Sequence, residues 1–167
     1  MLLDARNPAF RLAGEADAET LLPLMREYYA FDRHAFDESL ARGALLGLLR
    51  DPSRGRAWLI LDGPTAVGYI VLTFGYSLEF LGRDAFLDEF YLRESYRGRG
   101  WGREILQLVE ETARSFDVRA IHLEVTRHNT SALEFYRKQG FADHEHCLMT
   151  KWIERRFAKP ASNRSAM

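Results

Sequence analysis

Apolar residues recur at helical spacing in four stretches of the chain, and alternate or cluster in short runs between them. The helical stretches are Ala16–Tyr29, Phe36–Leu49, Ile105–Phe116 and a short segment after Asn129. Asp17 is the predicted N-cap of the first helix and Asn129 of the last, where Ser131 and Glu134 offer a competing capping-box register. Gly140 is predicted to end the last helix in a left-handed conformation.

The strand-type runs are Phe10–Ala13, Trp58–Leu61, Val67–Leu72, Ala85–Arg93, Ile121–Val125 and Phe141–Ile153, the last with a break near 143–145. The turn at 62–64 predicts a hairpin, whereas 75–83 reads as a longer connection between strands. The order β-α-α-β-β-β-α-β-α-β predicts an α/β (α+β) fold. We expect a mixed, largely antiparallel central sheet with helices on both faces.

Composition limits the classes of protein to consider. The chain has 167 residues, 47% of them hydrophobic, which suits one domain over 1–154 followed by a polar tail over 155–167. A net charge of −1 argues against nucleic acid or an anionic membrane as a partner. One cysteine, no signal-peptide pattern at the start and no long apolar run predict a soluble, cytoplasmic protein.

The most informative segment joins the strand Ala85–Arg93 to the helix that follows it. It reads Arg97-Gly98-Arg99-Gly100-Trp101-Gly102, with Arg103 next. A glycine-rich loop that opens a helix presents backbone N–H groups and the positive end of the helix dipole, and the arginines add charged donors. Its spacing matches neither the P-loop nor the dinucleotide fingerprint. We therefore expect a pyrophosphate site of another kind.

This loop resembles the Gln/Arg-x-x-Gly-x-Gly/Ala motif of the GNAT superfamily of acetyl-CoA-dependent N-acetyltransferases. A second motif of that family, Asn-x-x-Ala-x-x-x-Tyr before a Gly-Phe pair, is matched by Asn129, Ala132 and Tyr136 ahead of Gly140-Phe141. The order of elements agrees with the family from about Phe10 to Ile153.

The resemblance implies acetyl-CoA as the co-substrate. Loop residues would hold its pyrophosphate, and the strand after Glu89 would pair with its pantetheine arm. The residues assigned to the cofactor are Phe90, Tyr91, Leu92, Arg97, Gly98, Arg99, Gly100, Trp101, Gly102, Arg103 and Asn129. Arg93 and Arg99 are the cations expected nearest the phosphates.

The resemblance also implies that Tyr136 protonates the departing thiolate. A thiol titrates near ~8.5 and a tyrosine near ~10, so this role requires either a site tuned by its neighbours or stabilisation of the sulfur by a shared hydrogen bond. The proton of the attacking amine needs an acceptor, for which Asp88 and Glu89 are the candidates. Because adjacent strand residues face opposite sides, only one of them is expected in the cleft, with Asp88 ranked slightly first.

Acidic residues in the first helices and in the connection at 75–83 favour a cationic amine as the acceptor, with Tyr28, Tyr29, Glu79 and Asp88 as substrate-binding candidates. The predicted acceptor is a small molecule similar to a polyamine or an aminoglycoside. A protein or peptide acceptor and a CoA-sensing module without catalysis are the alternatives. His144 and His146 alone do not predict a metal site, and a homodimer is left open.

Overall fold

The computed structural model describes residues 8–154. Within them, one sheet has five strands in chain order, with β4 and β5 parallel and the other neighbours antiparallel. The strands are β1 (Ala9–Leu12), β2 (Gly55–Asp62), β3 (Thr65–Ser77), β4 (Gly82–Leu92) and β5 (Ala120–His122). This mixed, largely antiparallel sheet confirms the predicted fold class. The predicted polar tail, 155–167, lies outside the described residues.

Four α-helices flank the sheet within the described residues: α1 (Ala18–Phe31), α2 (Glu38–Leu49), α3 (Trp101–Ser115) and α4 (Thr130–Lys138). Asp37 caps α2 by accepting a hydrogen bond from the amide of Leu40 at 3.1 Å. Asn129 caps α4, as predicted, by accepting from the amide of Ala132 at 3.2 Å. Asp17 precedes α1 but makes no capping hydrogen bond to it, because its carboxylate accepts from Arg11 and from the amide of Gly14.

Two predictions about the strands were wrong. The segment 75–83 is not a long connection, because β3 and β4 pair as far as Ser77 and Gly82 and leave a short turn. Phe141–Ile153 forms no strand up to Glu154, the last described residue, and β5 ends at His122 rather than Val125. From Ala142 onward the side chains are exposed, so no apolar face anchors that segment to the sheet.

The sheet separates two apolar clusters. On one face, Ile70, Leu72, Leu87 and Leu92 pack against buried residues of α3. On the other, Leu59, Tyr69, Val71 and Tyr91 pack against α1 and α2. Helices therefore cover both faces, as the order of elements predicts.

A one-residue bulge interrupts β4 at Asp88. Val71 pairs with Glu89 and the next residue, Leu72, pairs with Leu87, so Asp88 has no partner in the β3–β4 register. Side chains alternate along a regular strand, and Leu87 and Leu92, five residues apart, would point to opposite faces. The extra residue puts both in the cluster against α3.

Among the helices of the described residues, none combines the length and apolarity needed to cross a membrane.

Gly68 provides a test of the sheet packing. A Cβ at this position in β3 would overlap the carbonyl oxygen of Tyr91 on β4, which cannot move without disturbing the strand. We expect Gly68→Ala to lower the free energy of unfolding by about 2–3 kcal/mol. Gly43→Ala, in α2 where a Cβ meets nothing within 4 Å, should instead raise it by about 0.5–1 kcal/mol. Urea denaturation measures both, and equal effects would contradict the packing.

Candidate active site

The candidate site lies where β4 and β5 separate. The two strands pair only from Asp84 to Phe86 on β4, through residues 120–122 of β5. From Leu87 to Leu92, the β5-facing edge of β4 has no strand neighbour among residues 8–154. Such an edge offers backbone N–H and C=O groups to an extended ligand.

At the end of this edge, the glycine loop leads into α3. Gly98 and Gly100 have φ of 73° and 86°, in the left-handed region that favours glycine. A Cβ at either would meet nothing within 4 Å, so the loop is open toward solvent. Gly100 is the N-cap of α3 and brings no capping side chain, so the positive end of the helix dipole lies at the loop. These features fit an anion.

The arginines of the loop have different surroundings. Arg97 donates from Nε to the carbonyl of Leu92 at 2.8 Å, and its guanidinium lies 4.4 Å from the ring centre of Phe31. Arg99 lies 4.8 Å from the ring centre of Tyr96, and Arg103 is exposed on the first turn of α3. Arg97 therefore joins the loop to the end of α1, while Arg99 and Arg103 remain accessible to an anion.

Arg93 is held by α1. Its guanidinium donates two hydrogen bonds to the Glu27 carboxylate, at 2.9 and 2.8 Å, and a third to the carbonyl of Ala66. Tyr91 donates a longer hydrogen bond to the same carboxylate at 3.3 Å. Arg93, which we expected near the phosphates, thus fastens the end of β4 to α1.

Gly102 connects the loop to the helix that carries Tyr136. A Cβ on Gly102 would lie 2.9 Å from Cζ of Phe135, so the ring of Phe135 on α4 packs directly on the start of α3 and would have to shift for a larger residue. Tyr136 is the next residue, and its ring contacts those of Phe135 and Phe141 at centroid distances of 5.2 and 5.6 Å. Burial raises the pKa of Tyr136 to about 12. Its hydroxyl therefore stays protonated well above neutral pH.

The two adjacent carboxylates of β4 differ in their environments. Asp88 is exposed at the bulge. Glu89 is half-buried and accepts a hydrogen bond from the hydroxyl of Tyr69 at 2.8 Å and another from Tyr29. Both carboxylates contribute to the raised pKa values of Tyr28 and Tyr29. The bulge at Asp88 interrupts the regular alternation on which the expectation of opposite faces rests.

Tyr28 interacts electrostatically with several of the candidate catalytic residues. Its pKa is raised first by burial and then by its electrostatic neighbours, which are Asp32, Glu89, Tyr136 and Asp88. Its ring also contacts the rings of Tyr29, Tyr69 and Tyr91, at centroid distances of 5.8, 6.5 and 6.1 Å. Tyr28 therefore lies in a cluster of tyrosine rings and interacts electrostatically with Tyr136 and with both carboxylates of β4.

Glu79 is separate from this region along the fold. It is exposed in the turn before β4, whereas the glycine loop follows the other end of that strand. Asn129 serves as the cap of α4.

Tyr69 and Glu27 were missed by the sequence analysis as site residues. The alternation of the run at 67–72 puts Tyr69 and Val71 on one face, but pairing Tyr69 with Glu89 requires the β3–β4 register and the bulge.

A groove of about 850 Å³ runs beside β5, lined among others by His122, Leu123 and Tyr136. Tyr136 therefore borders an open space on the α4 side as well. Among residues 8–154, no group of three or more His, Cys, Asp or Glu side chains is arranged to hold a metal ion.

Comparisons with known proteins agree with this geometry. A family model described as the acetyltransferase (GNAT) family matches residues 18–141. Thialysine N-epsilon-acetyltransferase of Bos taurus is 27% identical over 148 residues, which cover 80% of this chain and 83% of that protein. The match with the uncharacterized N-acetyltransferase YycN of Bacillus subtilis (strain 168) is 36% identical over 61 residues. It covers 36% of this chain and only 39% of that protein.

Among solved structures, an integron cassette protein from the mobile metagenome of Cole Harbour Salt Marsh superposes with a TM-score of 0.78 at 34% identity. The match covers 87% of this chain and 90% of that one.

The open glycine loop generates a prediction about CoA, the ligand that the resemblance implies. Gly100→Ala should cost about 1–2 kcal/mol of stability, because alanine is strained at positive φ. It should also raise the Kd for CoA at least about tenfold, since turning the loop amides away removes hydrogen bonds to a charged group. Calorimetric titration and urea denaturation measure the two effects.

Gly63→Ala is the matched control. Gly63 has φ of 57° and equally open surroundings, but lies in the β2–β3 turn. It should show a similar loss of stability with CoA affinity unchanged. If both variants bind CoA like the wild type, the loop is not the phosphate site.

Proposed function

The chain belongs to the acetyltransferase (GNAT) family, and from this premise we propose that it moves the acetyl group of acetyl-CoA to a primary amine of a cationic small molecule. Membership of the family confirms the predicted class of enzyme, an acetyltransferase. The observation that supports the finer proposal is the open edge of β4 over 87–92, which carries two carboxylates and leads into the glycine loop on which α4, with Tyr136, packs. Tyr28 interacts electrostatically with both carboxylates and with Tyr136, in keeping with a proton acceptor and a proton donor in one site.

The residues that would hold acetyl-CoA follow the chain from β4 into α3. The unpaired edge at 90–92 suits the amide groups of a pantetheine arm, and the open loop at 97–103 suits a pyrophosphate. Arg99 and Arg103 add accessible positive charge. When bound there, acetyl-CoA would supply the acetyl group as a thioester.

Proton transfer is divided between two side chains. Asp88 is exposed at the bulge, so its carboxylate is accessible to an incoming ammonium group and takes the proton that the amine must lose before it attacks. We favour it over Glu89, whose carboxylate accepts two tyrosine hydroxyls. Backbone N–H groups on the strand after Glu89 would polarise the acetyl carbonyl.

Tyr136 holds the second proton. Because burial raises its pKa to about 12, well above that of a thiol, the hydroxyl stays protonated and stabilises the departing sulfur by donating a hydrogen bond to it. The half-buried ring of Tyr136 packs against Phe135 and Phe141, and these contacts orient its hydroxyl as the donor for the departing sulfur.

The negative charges near Tyr28 support a cationic acceptor. Asp32, Asp88 and Glu89 all act on Tyr28, and tyrosine rings next to carboxylates attract cations. One relative in the comparisons carries the name thialysine N-epsilon-acetyltransferase, an activity on an amine. Both observations support a cationic amine as the acceptor.

The direct test is release of CoA from acetyl-CoA, followed with a thiol reagent, over a panel of polyamines, aminoglycosides, amino acids and lysine-containing peptides. We expect cationic small amines to give the highest kcat/KM. If peptides are preferred, the protein-acetylating alternative replaces this proposal. Tight CoA binding without transfer to any amine would favour a CoA-sensing module.

Removing the hydroxyl of Tyr136 tests the proton donor. Tyr136→Phe keeps the ring packing and should lower kcat by at least about 100-fold, the usual contribution of a general acid. The Kd for CoA should change little. In the wild type, kcat should not fall between pH 8 and 10, because the pKa of about 12 keeps the donor protonated in that range.

Tyr76→Phe is the control, since Tyr76 is 78% exposed near the β3–β4 turn. An unchanged kcat in Tyr136→Phe would remove the donor role.

Removing the charge of Asp88 tests the proton acceptor. Asp88→Asn is nearly isosteric and should lower kcat/KM by about 100-fold or more at neutral pH. The loss should shrink as the pH rises toward the amine's own pKa, because more of the amine then arrives deprotonated. Asp62→Asn, in the β2–β3 hairpin, is the control for charge. A loss that is independent of pH would argue for a binding role instead.

A further inference from the structure

Glu89 is held by two tyrosine hydroxyls. The hydroxyl of Tyr69 donates to Oε2 of Glu89 at 2.8 Å, and Tyr29 donates a second hydrogen bond from α1. One donor comes from the neighbouring strand and the other from the covering helix. The carboxylate is therefore fixed from two independent elements.

Tyr69 is well suited to fix this carboxylate. Its side chain is fully buried, at 0% exposure, in the cluster between the sheet and α1. The rings of Tyr28 and Tyr91 pack around it at centroid distances of 6.5 and 6.4 Å. Burial and the negative charge of Glu89 both raise the pKa of Tyr69, so its hydroxyl remains a donor.

These contacts determine what the carboxylate does. A carboxylate that accepts hydrogen bonds from protonated phenols is favoured in its charged form and is a poor proton acceptor. A charge of fixed position, next to aromatic rings and partly removed from water, is instead a binding site for a cation.

We infer that Glu89, held by Tyr69 and Tyr29, anchors a second cationic group of the acceptor, and that Tyr69 is the positioning residue for this anchor. The inference rests on the proposed function, because it places the acceptor in the same region. It assigns different roles to neighbouring carboxylates, with Asp88 taking the proton and Glu89 keeping its charge.

The cation that Glu89 binds is a second amine of the acceptor and not the reacting nitrogen. The reacting nitrogen must lose its proton before it attacks, and a permanent negative charge beside it would oppose that loss. A group that stays charged throughout gains from the same carboxylate. Asp88 and Glu89 are adjacent on β4, so a reacting amine at one and a cation at the other need only a short linker between them.

Binding can be measured without relying on turnover. The full-length protein, saturated with CoA, is titrated by calorimetry with 1,4-diaminobutane and with 4-aminobutan-1-ol, which differ in the second cationic group. We expect the diamine to bind at least about tenfold more tightly in the wild type. No difference between the two probes would overturn the anchor.

Three variants show which residues produce the preference for the diamine. Glu89→Gln should abolish it, and Tyr69→Phe should reduce it by about three- to tenfold, in line with the loss of one hydrogen bond of ordinary strength. Tyr91→Phe is the matched control, because it removes a hydroxyl from the same face that donates to Glu27 instead of Glu89. The preference should persist in this variant.

The outcomes separate the inference from the proposed function. Equal loss in Tyr69→Phe and Tyr91→Phe would make Tyr69 a packing residue and overturn its positioning role. A preference that survives Glu89→Gln would overturn the anchor itself. Absence of acetyl transfer to every amine of the panel would defeat the proposed function, while the preference for the diamine would still support or overturn the anchor.

Discussion

A single extra residue in β4 is the constraint on which the site depends. With Asp88 outside the register, Leu87 and Leu92 both pack toward α3, while Tyr91 packs toward α1 and Glu89 bonds to Tyr69. A regular strand would place either Leu87 or Leu92 on the wrong face, since its side chains alternate strictly. The same bulge exposes one carboxylate and buries part of the next.

A second constraint joins the two ends of the site. The ring of Phe135 packs 2.9 Å from the position of a Cβ on Gly102, so α4 lies directly against the start of α3. The glycine loop and Tyr136 therefore belong to one packed unit, although 34 positions separate Gly102 from Tyr136. Arg97 extends this unit to α1 through Phe31.

Features coded locally were predictable from the sequence, whereas those that depend on register were not. The helical stripes, the cap at Asn129 and the glycine loop each follow from neighbouring residues, and the structure contains all three. The bulge leaves no local mark, because Leu87-Asp88-Glu89 reads like any strand. The Tyr69–Glu89 contact joins positions 20 apart through that register. The strand predicted at 141–153 failed because apolar alternation needs a neighbouring strand to pair with.

Adjacent carboxylates of similar intrinsic acidity acquire different chemistry only through their surroundings. Asp and Glu differ by about 0.4 in reference pKa, too little to assign one as base and the other as anchor. The bulge supplies the difference, because it turns Asp88 outward and leaves Glu89 within reach of two protonated tyrosines. Exchanging the two residue types would therefore preserve the division of roles better than removing the bulge, since the roles belong to the positions rather than to the side chains.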